Sequence, residues 1–438
     1  MPARPLPSPR TSEFRLANGL RVLLAPDPRS PTASVWVWYR VGSKNERPGI
    51  TGASHWVEHM LFQGSPRYPK GAIDRAVVEV GGTLNAFTSY DFTAYFTTVP
   101  REHLRLPLAI EADRLTRAYL RDGEVDRERS VVLSEREGDE NWPEFRAEEE
   151  LYQLAFRHHP YRWDALGYRR DIESMSGAQL RAYYRRFYGP RNATLVVAGG
   201  VAAREVRREI VRRFARLPPT GEDPTVGEVE PEPSGERRSD LAGPGTTPFV
   251  VYGYRAPGLD DERAAALLML DAVLGGECRL FSGGSVWGSP KDHPSSRLYR
   301  ALVDRGLAVR AHSEWEPKIY PSLWTIFAQA SDGIPLERLA GAVDRVLDRL
   351  SQEGPTEGEL REMRIRLRRS ARLAYEGASR TGFRVGLFSV LGGAGLERRL
   401  FERLLTVRAK ELRRVAGELL GRERRCVVRY EPRARSAA

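Results

Sequence analysis

One order of elements runs twice along this chain, and that recurrence constrains the fold more than any other feature. Early in the first half, Ser34 to Val41 alternates valine with large aromatics and reads as a strand, with Trp36-Val-Trp-Tyr-Arg40 at its centre. In the second half Phe249-Val-Val-Tyr-Gly-Tyr-Arg255 echoes it. Near the end of each half a helical pattern runs into glycine and then into a short apolar strand. The copies are Leu180 to Gly189 followed by Thr194-Leu-Val, and Leu412 to Gly421 followed by Cys426-Val-Val. A period of about 215–230 residues is too long for a solenoid, so the pattern is that of a duplicated domain. Residues 218–246, with Pro218, Pro219, Pro224, Pro231, Pro233 and Pro244 and few apolar positions, read as a linker between the copies. The expectation is α+β, with two domains of similar fold at 12–217 and 247–433.

Within the first copy, Phe14 to Leu24 reads as a β-hairpin, with Asn18-Gly19 expected to supply two positive-φ turn residues. Helices are expected over Gly49 to Phe62 and Gly71 to Val80, and strands over Thr83–Thr88 and Phe92–Val99. Helical patterns then dominate from Arg101 to Tyr188. Ser176 and Gln179 form a capping-box pair at the start of the last of them.

Composition excludes several function classes. Lys and Arg total 69 against 58 Asp and Glu, a formal charge of +11, but these arginines are spread beside acids and no nucleic-acid reading motif accompanies them. Nucleic acid is therefore not an expected partner. Two cysteines, Cys278 and Cys426, rule out a disulfide scaffold or a cysteine zinc finger. No apolar run approaches the ~18 residues of a membrane span, so no membrane association is expected. Residues Met1 to Phe14 are rich in Pro and Arg without a hydrophobic stretch, and the expected location is the cytoplasm.

Chemistry concentrates at His55-Trp56-Val57-Glu58-His59. On a helix, residues four apart face the same way, so both imidazoles can reach one ion, with Glu58 beside them. With seven histidines in 438 residues, a chance match to His-x-x-Glu-His is expected roughly 0.01 times per chain. Imidazole suits zinc, a catalytic zinc site needs three protein ligands and an open position, and Glu58 is then free to act as general base. A third ligand must come from elsewhere. Glu128 and Glu135, seven residues apart, share a helix face and are candidates, although a solvated acidic helix has the same spacing.

These residues, together with Met60-Leu-Phe62-x-Gly64, Tyr39-x-Val-Gly42-Ser43, Gly81-Gly82-Thr-Leu-Asn85-Ala86-x-Thr88 and Glu128-Arg-x-Val-Val-x-x-Glu135, resemble the pitrilysin/insulinase family of zinc peptidases. The likeness is to the short-chain branch that includes mitochondrial processing peptidase. It covers nearly the whole chain, strongly in the first half and weakly in the second. The resemblance implies mostly antiparallel sheets with helices packed on one face, the two domains together making one half of a clamshell. It implies one zinc per chain on His55, His59 and Glu135, Glu58 as general base, and Glu128 as a carboxylate that orients a ligand. Asn85, Ala86, Phe87 and Thr88 would form the edge strand that takes a peptide substrate by β-addition.

The second half departs from that family. Self-sufficient members carry an arginine and a tyrosine, seven apart, that contact substrate and stabilise the oxyanion; the aligned positions here are Leu302 and Val309. A glycine-rich insertion at 277–294 precedes them, and its Arg279 or Trp287 could substitute. The expected function is a zinc-dependent endopeptidase acting on extended or unfolded peptides. It would be the metal-bearing subunit of a heterodimer whose homologous partner supplies the Arg/Tyr pair, a homodimer being the weaker option. The alternative is a catalytically inert scaffold on the same fold.

Overall fold

The computed structural model describes residues 9–222, 225–278, 280, 293–393 and 395–433. Strands β1 (Ser12–Arg15), β2 (Arg21–Pro26), β3 (Thr32–Tyr39), β4 (Thr83–Thr88), β5 (Thr93–Pro100) and β6 (Ala193–Gly199) form a six-stranded sheet ordered β1-β2-β6-β3-β5-β4. Strands β7 (Arg237–Gly243), β8 (Phe249–Ala256), β9 (Ala308–Trp315), β10 (Ser322–Ala330) and β11 (Arg425–Pro432) form a five-stranded sheet ordered β7-β11-β8-β10-β9. Laid side by side, the orders coincide once β1 is set aside. Each sheet also has a single parallel pair at the same place, β2 with β6 and β7 with β11, among otherwise antiparallel neighbours. The duplication is therefore a duplication of topology.

The first half carries α1 (Ala53–Met60), α2 (Ala72–Glu79), α3 (Arg105–Arg117), α4 (Asp122–Glu140), α5 (Pro143–Ala155), α6 (Arg169–Ser174), α7 (Gly177–Phe187) and α8 (Ala203–Phe214). The second carries α9 (Ala264–Gly275), α10 (Leu336–Glu353), α11 (Glu357–Leu373), α12 (Ala378–Leu391), α13 (Leu396–Thr406) and α14 (Ala409–Leu419). Alternate residues of a strand face opposite sides of its sheet. On β3, Val35, Val37 and Tyr39 pack against α1, α3 and α7, whereas Trp36 and Trp38 pack on the other face with Leu387 and Phe388 of α12. On β8, Val250, Tyr252 and Tyr254 join α9, α10 and α14, while Phe249 and Val251 meet Ala147 and Leu151 of α5. Each sheet thus has its own helices on one face and one helix from the other half on the opposite face. The exchange explains why the central strands read as nearly continuous apolar runs: both their faces are buried.

Small residues make one of these contacts possible. On α12, Gly382 and Gly386 are four residues apart, and a Cβ on either would collide with the indole of Trp36 or Trp38 respectively. Phe383 packs between them, its ring 5.8 Å from Trp36 and 5.7 Å from Trp38.

Two local expectations need correction. The hairpin turn does not place both Asn18 and Gly19 at positive φ: Gly19 alone does, at 96°. Asn18 is buried, and its amide donates to the carbonyls of Phe214 (2.8 Å) and Leu217 (3.1 Å), so tertiary hydrogen bonds replace the turn chemistry. The segment expected to link the halves over 218–246 is not free throughout. Its end is strand β7, which gains a parallel ladder with β11, and Glu230 accepts the amides of Arg157, His158 and His159 at 2.9, 2.7 and 3.1 Å. The capping box at Ser176 and Gln179 forms as expected. Of the 277–294 insertion, Arg279 and Trp287 lie outside the described residues. No helix among the described residues is long and apolar enough to cross a membrane.

Candidate metal centre

Helix α1 begins at Gly52 without a side-chain cap of its own. Its first amides are instead met from a distance: Glu46 accepts from the backbone of Gly52 and of Ser54, each at 2.7 Å. Two of the orphan donors of a helix N-terminus are satisfied this way. The eight-residue helix buries Ala53, Trp56, Val57 and Met60 and turns His55, Glu58 and His59 toward a partly open face. Helix α4 crosses that face. Glu128 and Glu135 both project from it onto the histidines, as their seven-residue spacing anticipates.

Three ligand atoms converge. His55 Nε2 and His59 Nε2 stand 3.2 Å apart, and Glu135 Oε2 lies 3.4 Å from the first and 3.3 Å from the second. A tetrahedral zinc with bonds of about 2.0–2.1 Å sets its ligand atoms about 3.3 Å apart, so the triangle has the right edge for that ion. Among the described residues these three form a group able to hold a metal. Glu135 remains half-exposed, so the group is not sealed from solvent.

The protonation pattern suits a cation. Burial, with the neighbouring His59 adding to it, pushes His55 down to about 3, so its imidazole is neutral as a metal ligand must be. His55 Nδ1 is buried and has no hydrogen-bond partner among the described residues. His59 Nδ1 lies 3.0 Å from Glu128 Oε1. A carboxylate can only accept, so Nδ1 carries a ring proton, and in the neutral ring Nε2 has its lone pair available for a metal. Glu128 is held below the usual carboxylate range chiefly by that hydrogen bond, and its other oxygen accepts from Gln63 Nε2 at 2.6 Å. For His59 itself burial favours the neutral ring, but the bond to Glu128 and the charges of Glu135, Glu58 and Glu128 outweigh it and raise its pKa.

Glu58 is not part of the triangle. Burial raises its carboxyl to about 7, and the Thr88 hydroxyl, donating at 2.6 Å, opposes that rise. A carboxyl brought near neutrality beside three candidate metal ligands is suited to exchanging a proton there.

Strand β4 ends the six-stranded sheet, so among the described residues one edge of its backbone has no strand partner. Along it Asn85 is exposed, its Oδ1 accepting from the backbone of Ala86 at 2.8 Å. Ala86 is buried, and Phe87 packs its ring 5.7 Å from Trp38 and 6.1 Å from Phe383. Thr88 ties this strand to the candidate centre through its hydrogen bond to Glu58. Sequence reading missed Gln63 and the Thr88–Glu58 bond. Gln63 carried a signal, four residues beyond His59, whereas nothing in the sequence joins Thr88 to Glu58.

Among the described residues the second half has no such centre. Its counterpart of α1 is α9, in which Asp271 is the lone charged residue. Asp271 Oδ1 is taken up by Ser313 Oγ at 2.7 Å and Trp324 Nε1 at 2.9 Å. Leu302 is fully buried and Val309 is half-exposed on edge strand β9, so neither offers a side-chain donor to a substrate.

Comparison with known proteins agrees with this division. The family model described as Insulinase (Peptidase family M16) matches residues 21–167, and that described as Peptidase M16 inactive domain matches residues 174–367. A zinc protease of Helicobacter pylori, PqqE, is 28% identical over 82% of this chain and 78% of its own length. The mitochondrial-processing peptidase beta subunit of Blastocladiella emersonii is 27% identical over 94% of this chain and 86% of its own. The crystal structure of a protease from Helicobacter pylori superposes with a TM-score of 0.90 at 26% identity, covering 97% of this chain and all of that one. With two models of one family spanning most of its length and the same half-clamshell fold, the chain belongs to peptidase family M16.

Proposed function

We propose that this chain is the zinc-bearing subunit of an endopeptidase that hydrolyses extended or unfolded peptides in a chamber closed by a second, homologous subunit. The observation that carries the reading is the triangle of His55 Nε2, His59 Nε2 and Glu135 Oε2 with Glu58 held beside it by Thr88. An inert scaffold has no physical need for a buried carboxylate poised at that position.

One zinc ion on these three residues would supply a Lewis acid and an acidified water. The chain's own part is positional and protolytic. Glu128, steadied by Gln63, fixes the tautomer and orientation of His59. The edge of β4 at Asn85–Thr88 pairs with the backbone of an extended peptide and lays its scissile bond across the centre. Glu58 takes a proton from the attacking water and delivers it to the departing amine, a single carboxyl serving as base and then acid. Donors for the oxyanion are absent at Leu302 and Val309, which is why a homologous subunit carrying an arginine and a tyrosine is part of the proposal.

The deciding experiment measures cleavage of an unstructured peptide by the zinc-loaded chain, alone and with such a homologue, before and after chelation. Cleavage that is lost with the metal and restored by zinc supports the reading. A metal-loaded chain that cleaves nothing in either setting overturns it in favour of the scaffold.

A further inference from the structure

Among the described residues the second half holds no candidate metal group, yet it reaches the first half through a buried polar connection aimed at the residues around Glu58. The turn Ser89–Phe92 joins β4 to β5 and follows directly on Thr88. Asp91 in that turn is buried, and its carboxylate accepts from two sides. Tyr161 Oη donates to Oδ1 at 2.7 Å, and the backbone amide of Ile319, 228 residues further along in the second half, donates to Oδ2 at 2.8 Å. Tyr161 Oη in turn accepts the amide of Tyr320 at 3.2 Å. Lys318, also buried and paired with Glu316 at 2.6 Å, places its ammonium 4.5 Å over the ring of Tyr90.

From Asp91 two short routes lead to α1. The first runs back along the strand: the turn fixes the end of β4, where Thr88 donates to Glu58. The second runs through Lys44, a buried ammonium 3.6 Å from Asp91 Oδ1 that donates to the Asp91 carbonyl at 2.6 Å. Lys44 belongs to the turn Ser43–Asn45, whose backbone amides at Ser43 and Lys44 donate to the carbonyls of Ser89 and Tyr90 at 3.2 and 3.1 Å. Two residues after Lys44, Glu46 caps the N-terminus of α1.

We infer that Asp91 is a positioning residue through which the second domain sets Glu58 and the edge strand for reaction. This rests on the peptidase reading above. The carboxylate is the group the geometry requires, because an amide in its place offers one acceptor where two donors and an ammonium converge. Its contribution is orientational: it touches neither metal ligand nor substrate strand, and misplacement of a base relative to the reacting atoms costs rate rather than affinity.

The test uses the full chain, zinc-loaded, as Asp91→Asn and as the milder Tyr161→Phe, which removes one donor and no charge. Hydrogen–deuterium exchange is read over 83–93 and 52–60, with β2 and β11 as internal references, and peptide cleavage is read as kcat and KM separately. The expected result in each variant is faster exchange in 83–93 and 52–60 with the references unchanged and zinc still bound one per chain. It is accompanied by a fall in kcat of about 10- to 100-fold with KM within about threefold. Unchanged exchange in both windows overturns the inference, and so does acceleration shared by β2 and β11, since that is general loosening. Should the wild type cleave nothing, the peptidase reading fails, while the exchange windows still decide whether Asp91 holds the turn and the helix.

Discussion

Thr88 Oγ1 donates to Glu58 Oε2 at 2.6 Å, tying the edge strand of the first sheet to the helix that bears both histidines. Because this bond stabilises the ionised carboxylate, it works against the burial that raises Glu58 to about 7. Thr88→Val removes the donor, so the carboxyl is held higher still and less of it is ionised at a given pH. The expected outcome is an acid limb of kcat/KM displaced to higher pH, while Thr88→Ser, which keeps the hydroxyl, retains the wild-type limb. A Val variant whose limb does not move would separate Thr88 from the base.

Glu58→Gln preserves shape and removes the ability to accept a proton. Zinc content and peptide binding should stay as in the wild type, with hydrolysis reduced at least about 10²–10⁴-fold. Single-turnover cleavage measured on metal-quantified protein checks this, and wild-type turnover would exclude Glu58 as base.

Metal binding should depend on the residues around the triangle in a graded way. His55→Ala, His59→Ala or Glu135→Ala each removes a ligand atom and should leave the purified chain without stoichiometric zinc. Glu128→Gln leaves all three ligands and loses the carboxylate that orients His59, so affinity should fall about 10–100-fold. Competition with a chelator of known affinity measures both effects, and unaltered zinc affinity in Glu135→Ala would break the ligand assignment.

The chain alone should be a poor peptidase. Removal of one oxyanion donor typically lowers the rate by about 10²–10³, and neither Leu302 nor Val309 supplies one. A homologue carrying the arginine and tyrosine should raise turnover by that order. The assay compares the chain free of any partner, verified by mass spectrometry, with the mixed complex. Equal turnover in the two would sink the two-subunit reading and direct attention to the 277–294 insertion.

Gly386→Ala tests the exchange of helices between the halves. The added methyl has no room against the Trp38 indole, and overpacking of this kind costs about 1–3 kcal/mol. A thermal melt should show a clear loss of stability with zinc binding retained in the folded fraction. An unchanged melting temperature would mean that α12 does not sit this closely on the first sheet.

Much of this protein was legible in its residues. The spacing in His55-x-x-Glu58-His59 and between Glu128 and Glu135 is a property of helix geometry, which depends on local backbone alone, so the sequence already placed these side chains on common faces. The repeated order of strands and helices announced the duplication for a similar reason: hydrophobic periodicity is local. What it could not contain were the relations made by packing. The bond from Thr88 to Glu58, the cap on α1 supplied by Glu46, and the landing of Ile319 on Asp91 join residues whose proximity no spacing encodes. The crossing of α5 and α12 onto each other's sheets is of the same kind. An apolar strand says that both its faces are buried, and only the assembled fold decides which helix buries them, because burial is non-directional and is satisfied equally by any surface of fitting shape.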